Sequence, residues 1–419
     1  MADFRPFRAL RPRPEYAAEV AALPYDVMDA AEAREMVKGK ERSFLRIDKP
    51  EAEFPEGQDP HAPEIYAKAK ELFELRKADG TYIREEKPCA YIYRQIMDGR
   101  AQLGLVGTIS AQDSIDGHVK KHEMTRADKE ADRIKHVSTL NAQTGPIFLT
   151  YRKRPKLTEI LNNWQLQHKP VYDFVSEQGV HQTVWIVDSP KWLKEIQREL
   201  AKTESLYIAD GHHRHMSAVR VAQMRREEHG GYTGDEEFNY YLAVLFASDE
   251  LKLMDYNRVV TSLNGLTLSA FLAKCGRKFT IDKALPGEVV RPRHPHTFGM
   301  CVHMDDGSAQ WYHLRAKNGS FDKNDPVASL DVSILQNNLI APILGIDDPR
   351  TDKRIDFVGG IRGLGELERR VKTDMKLAFA FFPTTIDELM TIADAGEIMP
   401  PKSTWFEPKL LSGLFIHEI

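Results

Sequence analysis

Residues 205–223 read SLYIADGHHRHMSAVRVAQ, and no other stretch constrains the fold as much. Leu206, Ile208 and Ala209 form an apolar run of strand character that ends on Asp210. Met216, Val219, Val221 and Met224, with Ala218 and Ala222, then give a helix its apolar face. A single glycine, Gly211, separates the two. Glycine tolerates a left-handed backbone and lets a ligand approach the chain closely. A strand that turns directly into a helix calls for an architecture in which the two are packed together.

The rest of the chain repeats that alternation. CAYIYRQI (89–96) and QLGLVGTIS (102–110), on either side of MDGRA, predict a β-hairpin. PIFLTY (146–151) and QTVWIVD (182–188) read as strands, with helical segments near 156–168 and 190–201. Residues 62–79 predict an amphipathic helix with Ile65, Ala69, Leu72 and Leu75 on one stripe, and Asp29 is a helix N-cap. The charged, glycine-rich RREEHGGYTGDEE (225–237) reads as a boundary, after which NYYLAVLFA opens a second block. There, 297–304 and 309–316 suggest another hairpin, LDVSILQNNLIAPILG (330–345) a helix stopped at Gly345, and 413–418 a last strand. The expectation is mixed α/β (α+β) throughout, with domains at 1–235 and 236–419.

Composition excludes several classes of partner. At 419 residues the chain can bury more than one core, and 42% hydrophobic with 29% charged residues is ordinary for a globular protein. A net charge of −4 gives no global attraction to nucleic acid or an anionic membrane, so any anion site must be local. The longest apolar runs, LAVLFA and LAFAFF, are strand-sized rather than membrane-spanning. Three scattered cysteines, Cys89, Cys275 and Cys301, fit neither a disulfide framework nor a zinc ribbon, and the N-terminus lacks a signal-peptide core. A soluble cytoplasmic protein is expected; a homodimer is left open.

The 205–223 turn has the makings of a phosphate site. A helix start offers unpaired N–H groups and positive potential. His212 or His213 can donate to phosphate oxygens, and Arg214 can do so with two N–H groups at once. Asp210 could hold a magnesium ion or orient a histidine. The alternative is that Asp210 merely caps the helix and the histidines are solvated. A Walker loop is absent from the sequence.

A second concentration of chemistry is HVKKHEMTRADKEADRIKH (118–136). Thr125 and Asp128 match a helix-start box, so a helix begins near Arg126. Ala127, Ala131 and Ile134 then share one face and Lys129, Arg133 and His136 the opposite one. That cationic stripe is either a solvated surface or a clamp on phosphate. Glu123, next to His122, sits just before the helix, where a carboxylate can point into a cleft.

IADGHHRHMSAVRVA resembles the nucleotide-binding box of the ParB/sulfiredoxin superfamily. LPYDVMD (23–29), HEMTRADKEADRIKH (122–136), ADGHHR and MPPKSTWFEPK (399–409), in that order, resemble the conserved bacterial family first catalogued as domain of unknown function ten-fifteen. One departure is DYNRVV (255–260), where the family usually has a histidine before the arginine, here Arg258. The nearest members of the superfamily with an assigned reaction are free-serine kinases. The resemblance therefore implies a ParB/sulfiredoxin-like domain with a second α/β domain and a phosphotransferase making O-phospho-L-serine. ATP, ADP or pyrophosphate would be the donor, with Mg2+. Glu123 would be the base, with His122 and Asp210 beside it. Gly211, His212, His213, Arg214, Arg133 and Lys129 would hold the donor. Tyr25 and Asp26, with Lys402, Ser403 and Thr404, are candidate substrate contacts. Two rivals remain open: a metal-dependent hydrolase using His118, His122, His212, His213 and Asp210, and a nucleotide-binding regulator with a DNA-binding module, against which the acidic balance stands.

Overall fold

The structure, a computed structural model, describes residues 2–419. It forms two compact units, one from residues up to 121 with 125–251 and 408–419, the other from 122–124 with 252–407.

The first unit is built on a nine-stranded mixed sheet. Across it run Val119–Lys120, Leu206–Asp210, Ile147–Tyr151, Tyr240–Ala247, Arg100–Ser110, Ala90–Met97, His181–Val187 and Tyr172–Val175, with Phe4–Arg5 pairing on Arg100–Ser110. Two pairings are parallel, Leu206–Asp210 on Val119–Lys120 and Tyr240–Ala247 on Ile147–Tyr151; the others are antiparallel. The expected hairpin forms, closed by Asp98 and Gly99 at φ of 52° and 76°, the doubly left-handed turn that matches strand twist. One core packs Ile92, Leu105, Leu149, Ile208 and Leu245 of the sheet against the helices Pro155–Gln167, Pro190–Leu200 and His212–His229. A second core gathers the helix Pro63–Ala78 with Phe44, Leu45, Ile47 and Leu140.

Tyr240–Ala247, read from the sequence as the opening of the second block, is a central strand of this first sheet, bonded between Ile147–Tyr151 and Arg100–Ser110. All eight of its residues are buried, which explains its unbroken apolar run. After the short passage at 122–124 the chain enters the second unit again at Lys252, and the C-terminal segment returns to the first from Pro408. There the strand expected at 413–418 shrinks to His417–Glu418, paired with Ala142–Gln143. Leu75, placed on the apolar stripe of its helix, is 46% exposed.

The second unit holds a six-stranded antiparallel sheet in the order Phe279–Lys283, Ala309–Ala316, Thr297–His303, Leu377–Phe381, Tyr256–Val260, Ile355–Gly359. The helix Gly363–Thr373 covers one face through Leu364, Leu367 and Val371. The helix expected over 330–345 is interrupted by a π turn at Gln336–Ile340, just before Pro342, which lacks the N–H that a regular turn would use. It ends at Gly345 with φ 66°. The mixed α/β class is as expected. Among the described residues no helix is long and apolar enough to cross a membrane.

Candidate functional site

The strand-to-helix turn forms as read. Leu206–Asp210 pairs with Ile147–Tyr151 until the register slips between Ile208 and Asp210, and such a bulge re-aims the side chains beside it. Gly211 follows in the left-handed region at φ 85°, and the helix His212–His229 starts with no side-chain cap. The Gly211 N–H donates to Asp210 Oδ1 over 2.8 Å, while Asp210 Oδ2 accepts from Lys409 Nζ over 2.8 Å. Burial pushes the Asp210 carboxyl up, but Lys409 and the Gly211 N–H outweigh it and hold the group below the usual carboxylate range. Asp210 is therefore an ionised carboxylate that already holds a cation, not a helix cap.

Arg214 reaches from the first turn of the same helix to Asp48 Oδ2 and Ser412 Oγ, each at 3.4 Å. A Cβ at Gly145 would meet Arg214 Nη1 at bonding-clash range, so a side chain there would push the guanidinium off Asp48. Asp48 is buried, and its Oδ2 also accepts from Ser412 Oγ at 2.9 Å. Arg133 Nη1 lies 3.2 Å from the Asp48 carbonyl and 3.5 Å from Oδ1, and Arg133 also pairs with Asp132 at 2.8 Å. The Tyr25 ring lies against both guanidiniums, its centroid 4.0 Å from Arg133 and 5.2 Å from Arg214. Burial pushes the Asp48 carboxyl up, yet Arg214 and Arg133 more than compensate and hold it ionised. Beside this cluster is a cavity of about 210 Å³, with Tyr25, Asp48, Tyr66, Lys129, Asp132 and Arg133 among its walls.

The helix Ala127–Leu140 is thus turned inside out relative to its pattern. Arg133 and His136 are buried, whereas Ala127 and Ala131 are exposed and Ile134 is half-buried. The polar face goes inward because partners await it: Asp48 for Arg133, and the Ile47 carbonyl, 2.9 Å from His136 Nε2. Burial, with Arg133 nearby, pushes the His136 pKa down to about 4, so the ring is neutral. Its N-cap residue is Arg126, without a side-chain cap bond, so the expected Thr125–Asp128 box does not form.

The other candidates are placed as follows. Gly211 and His212 stand at the turn itself, and His212 is buried. His213 Nε2 accepts the Arg126 N–H at 3.1 Å, which leaves only Nδ1 able to donate. His118 lies 3.4 Å from Asp113. Of the set proposed for a hydrolase, His118, His213 and Asp210 thus each stand against another group of the first unit. Asp26 is exposed on the turn Tyr25–Val27. His122 and Glu123 belong to the second unit, as do Lys402, Ser403 and Thr404. His122 is buried; its carbonyl accepts the Met399 N–H at 2.9 Å, and its Nε2 is 3.5 Å from Thr404 Oγ1. Glu123 is half-buried. Lys402 takes a left-handed φ of 57° and is exposed. The Ser403 hydroxyl is spent inside its own loop, donating to the Pro400 carbonyl at 2.6 Å. Arg258 lies buried between Phe357 and Phe381 and donates to the carbonyls of Tyr256 and Pro401, which gives it a role in fixing that loop.

Sequence reasoning missed Asp48, Ser412 and the part played by Lys409. Lys409 closes the MPPKSTWFEPK motif and was within reach; Asp48, in FLRIDKP, carries no signal of its own.

Comparison with solved structures finds distant likenesses. A free serine kinase variant in complex with AMP is 12% identical, with 72% of this chain and 87% of that chain covered at a TM-score of 0.37. A conserved hypothetical protein from Pyrococcus furiosus is 13% identical, with coverages of 72% and 91% and a TM-score of 0.35. SbnI with a C-terminal truncation, from Staphylococcus aureus, is 10% identical, with coverages of 73% and 85% and a TM-score of 0.37. Likenesses of this size say nothing of the reaction. No curated protein matches. The sequence profile described as "Protein of unknown function (DUF1015)" matches residues 4–333, and with four motifs in the order that the resemblance requires, the chain belongs to that family.

Proposed function

We propose that this protein is a phosphotransferase acting on a small alcohol, with free L-serine as the acceptor and ATP, ADP or pyrophosphate as the donor. The first unit is then the ParB/sulfiredoxin-like nucleotide-binding domain and the second its α/β companion. The observation that carries the reading is the Asp210–Gly211 turn: a left-handed glycine opening an uncapped 18-residue helix, with Arg214 in the first turn of that helix. Phosphoryl transfer asks a protein for positioned cations and N–H donors and for a base, and little else.

In this reading Gly211, His212, His213 and Arg214 receive donor phosphates, and Arg133 and Lys129 line the neighbouring cavity. Tyr25 and Asp26, with Lys402 and Thr404, contact the amino acid, and Glu123 takes its hydroxyl proton. Magnesium fits only in part. Both oxygens of Asp210 are already engaged, so the ion would be held mainly by donor oxygens, as Mg2+ usually is, and would neutralise their charge. The test is a donor-by-acceptor screen followed by phosphorus NMR, with L-serine among the acceptors. A phosphomonoester on serine with any of the three donors is the expected result; no phosphorylated acceptor with any donor overturns the proposal.

A further inference from the structure

We infer that Lys409 is a second phosphate-contacting cation of this site, aimed by Asp210 on one side and by a buried row of glutamines on the other. The inference rests on the phosphotransfer reading above and names a group that the reading left out. Lys409 is on the C-terminal segment that returns to the first unit, and its side chain is 12% exposed. Its Nζ is fixed on Asp210, and its backbone carbonyl accepts from Gln95 Nε2 at 3.0 Å.

Gln95 does not act alone. Gln182, Gln95 and Gln102 stand directly opposite one another on three neighbouring strands and are almost wholly buried. Gln102 Nε2 donates to Gln95 Oε1 at 2.9 Å; Gln95 Nε2 lies 3.2 Å from Gln182 Oε1, which also accepts from the Tyr93 hydroxyl at 2.5 Å. Burying three amides in a sheet costs free energy wherever a bond is left unmade, and apolar residues would fill the row at no such cost. What an apolar row could not do is hold the carbonyl of Lys409. The row orients the backbone of Lys409, Asp210 orients its ammonium, and the charge is presented at the turn where the helix N–H groups lack a cap. An ammonium on a flexible stem can shift from carboxylate to phosphate oxygen without rebuilding a planar fork. Gln95 is accordingly a positioning residue for Lys409.

Titration calorimetry on the full-length protein, with pyrophosphate and ADP as probes, tests this. Lys409→Met keeps the length of the buried stem and removes the charge. It should weaken binding of at least one probe by about tenfold or more, leave Tm within a few degrees, and flatten the dependence of affinity on salt. Lys409→Arg should restore most of the loss, which a purely structural lysine would not require. Gln95→Met should weaken the same probe by a smaller factor and leave the salt dependence in place. Wild-type affinity in Lys409→Met, alongside a clear loss in Arg214→Ala, overturns the role of Lys409 and leaves the phosphate site standing. If neither substitution changes affinity, or the wild-type protein binds neither probe, the phosphate reading falls and Lys409 with it.

Discussion

Asp48 is one carboxylate shared by two guanidiniums, and the rest of the cluster depends on it. Replacing it with asparagine keeps the shape but leaves Arg133 and Arg214 buried against a neutral amide. Breaking a buried ion pair costs about 3–5 kcal/mol, so Asp48→Asn should lower the unfolding free energy from urea titration by that much; a change below about 1 kcal/mol would mean the charges are screened. The pH dependence has a definite sign. The folded carboxyl titrates below its unfolded value, so its contribution is complete at neutral pH and is lost as pH falls through the folded value. Arg214 is tested on the ligand side: Arg214→Ala should reduce donor affinity by about 1.5–3 kcal/mol, the range for a hydrogen bond to a charged group, as read by calorimetry. Arg214, Arg133 and Tyr25 were legible because each sits in a run of dense chemistry. Asp48 was not, because an acid before Lys-Pro reads as the end of a short helix, and nothing local records that two arginines from 85 and 166 residues away close upon it.

At the level of single elements, the helix Ala127–Leu140 shows where periodicity misleads. Its start is close to the reading, but of the two faces it buries Arg133 and His136 of the cationic one. Apolar periodicity identifies the inward face only when the surroundings are apolar. Here the surroundings are Asp48, a carbonyl and a tyrosine ring, and of the other face Ala127 and Ala131 are left exposed and Ile134 half-buried. A measurable consequence follows from His136, whose folded pKa of about 4 lies below the 6.5 of the free side chain. Between those values the unfolded chain binds a proton that the folded one refuses. Stability should therefore rise with pH from about 4 to 6.5 and fall on acidification through the same window, by a few kcal/mol if this ring dominates. His215, pushed by burial to about 3, acts in the same direction. His136→Gln retains a donor for the Ile47 carbonyl and has no proton to take up. Its denaturation midpoint should vary less with pH over that window than the wild-type midpoint does; identical profiles would show that the ring does not control it.

For the whole molecule, element types were legible and long-range pairing was not. Residues 240–247 follow a glycine-rich, charged stretch that looks like a boundary, yet the backbone hydrogen bonds that place them in the first sheet leave no mark on side-chain sequence. The return of residues 408–419 is equally silent, although it brings Lys409 to Asp210 and Ser412 to Asp48. The proposed chemistry can still be divided by substitution, because binding the donor and taking the acceptor proton are different tasks. Chelation should abolish turnover and added magnesium restore it, with the fold unchanged by circular dichroism, since an ion held mainly by donor oxygens would not be part of the fold; full activity after exhaustive chelation removes magnesium from the scheme. Glu123 is tested by Glu123→Gln, which preserves size and most hydrogen bonds and removes basicity. A positioned base contributes about 10²–10⁴ in rate, so kcat should fall by that factor while donor affinity stays within a few-fold. The residual activity should also lose the acid limb of the wild-type pH profile, because a protonated carboxylate accepts no proton. A near wild-type rate would pass the role to His122, one position away and buried, whose imidazole could serve the same purpose.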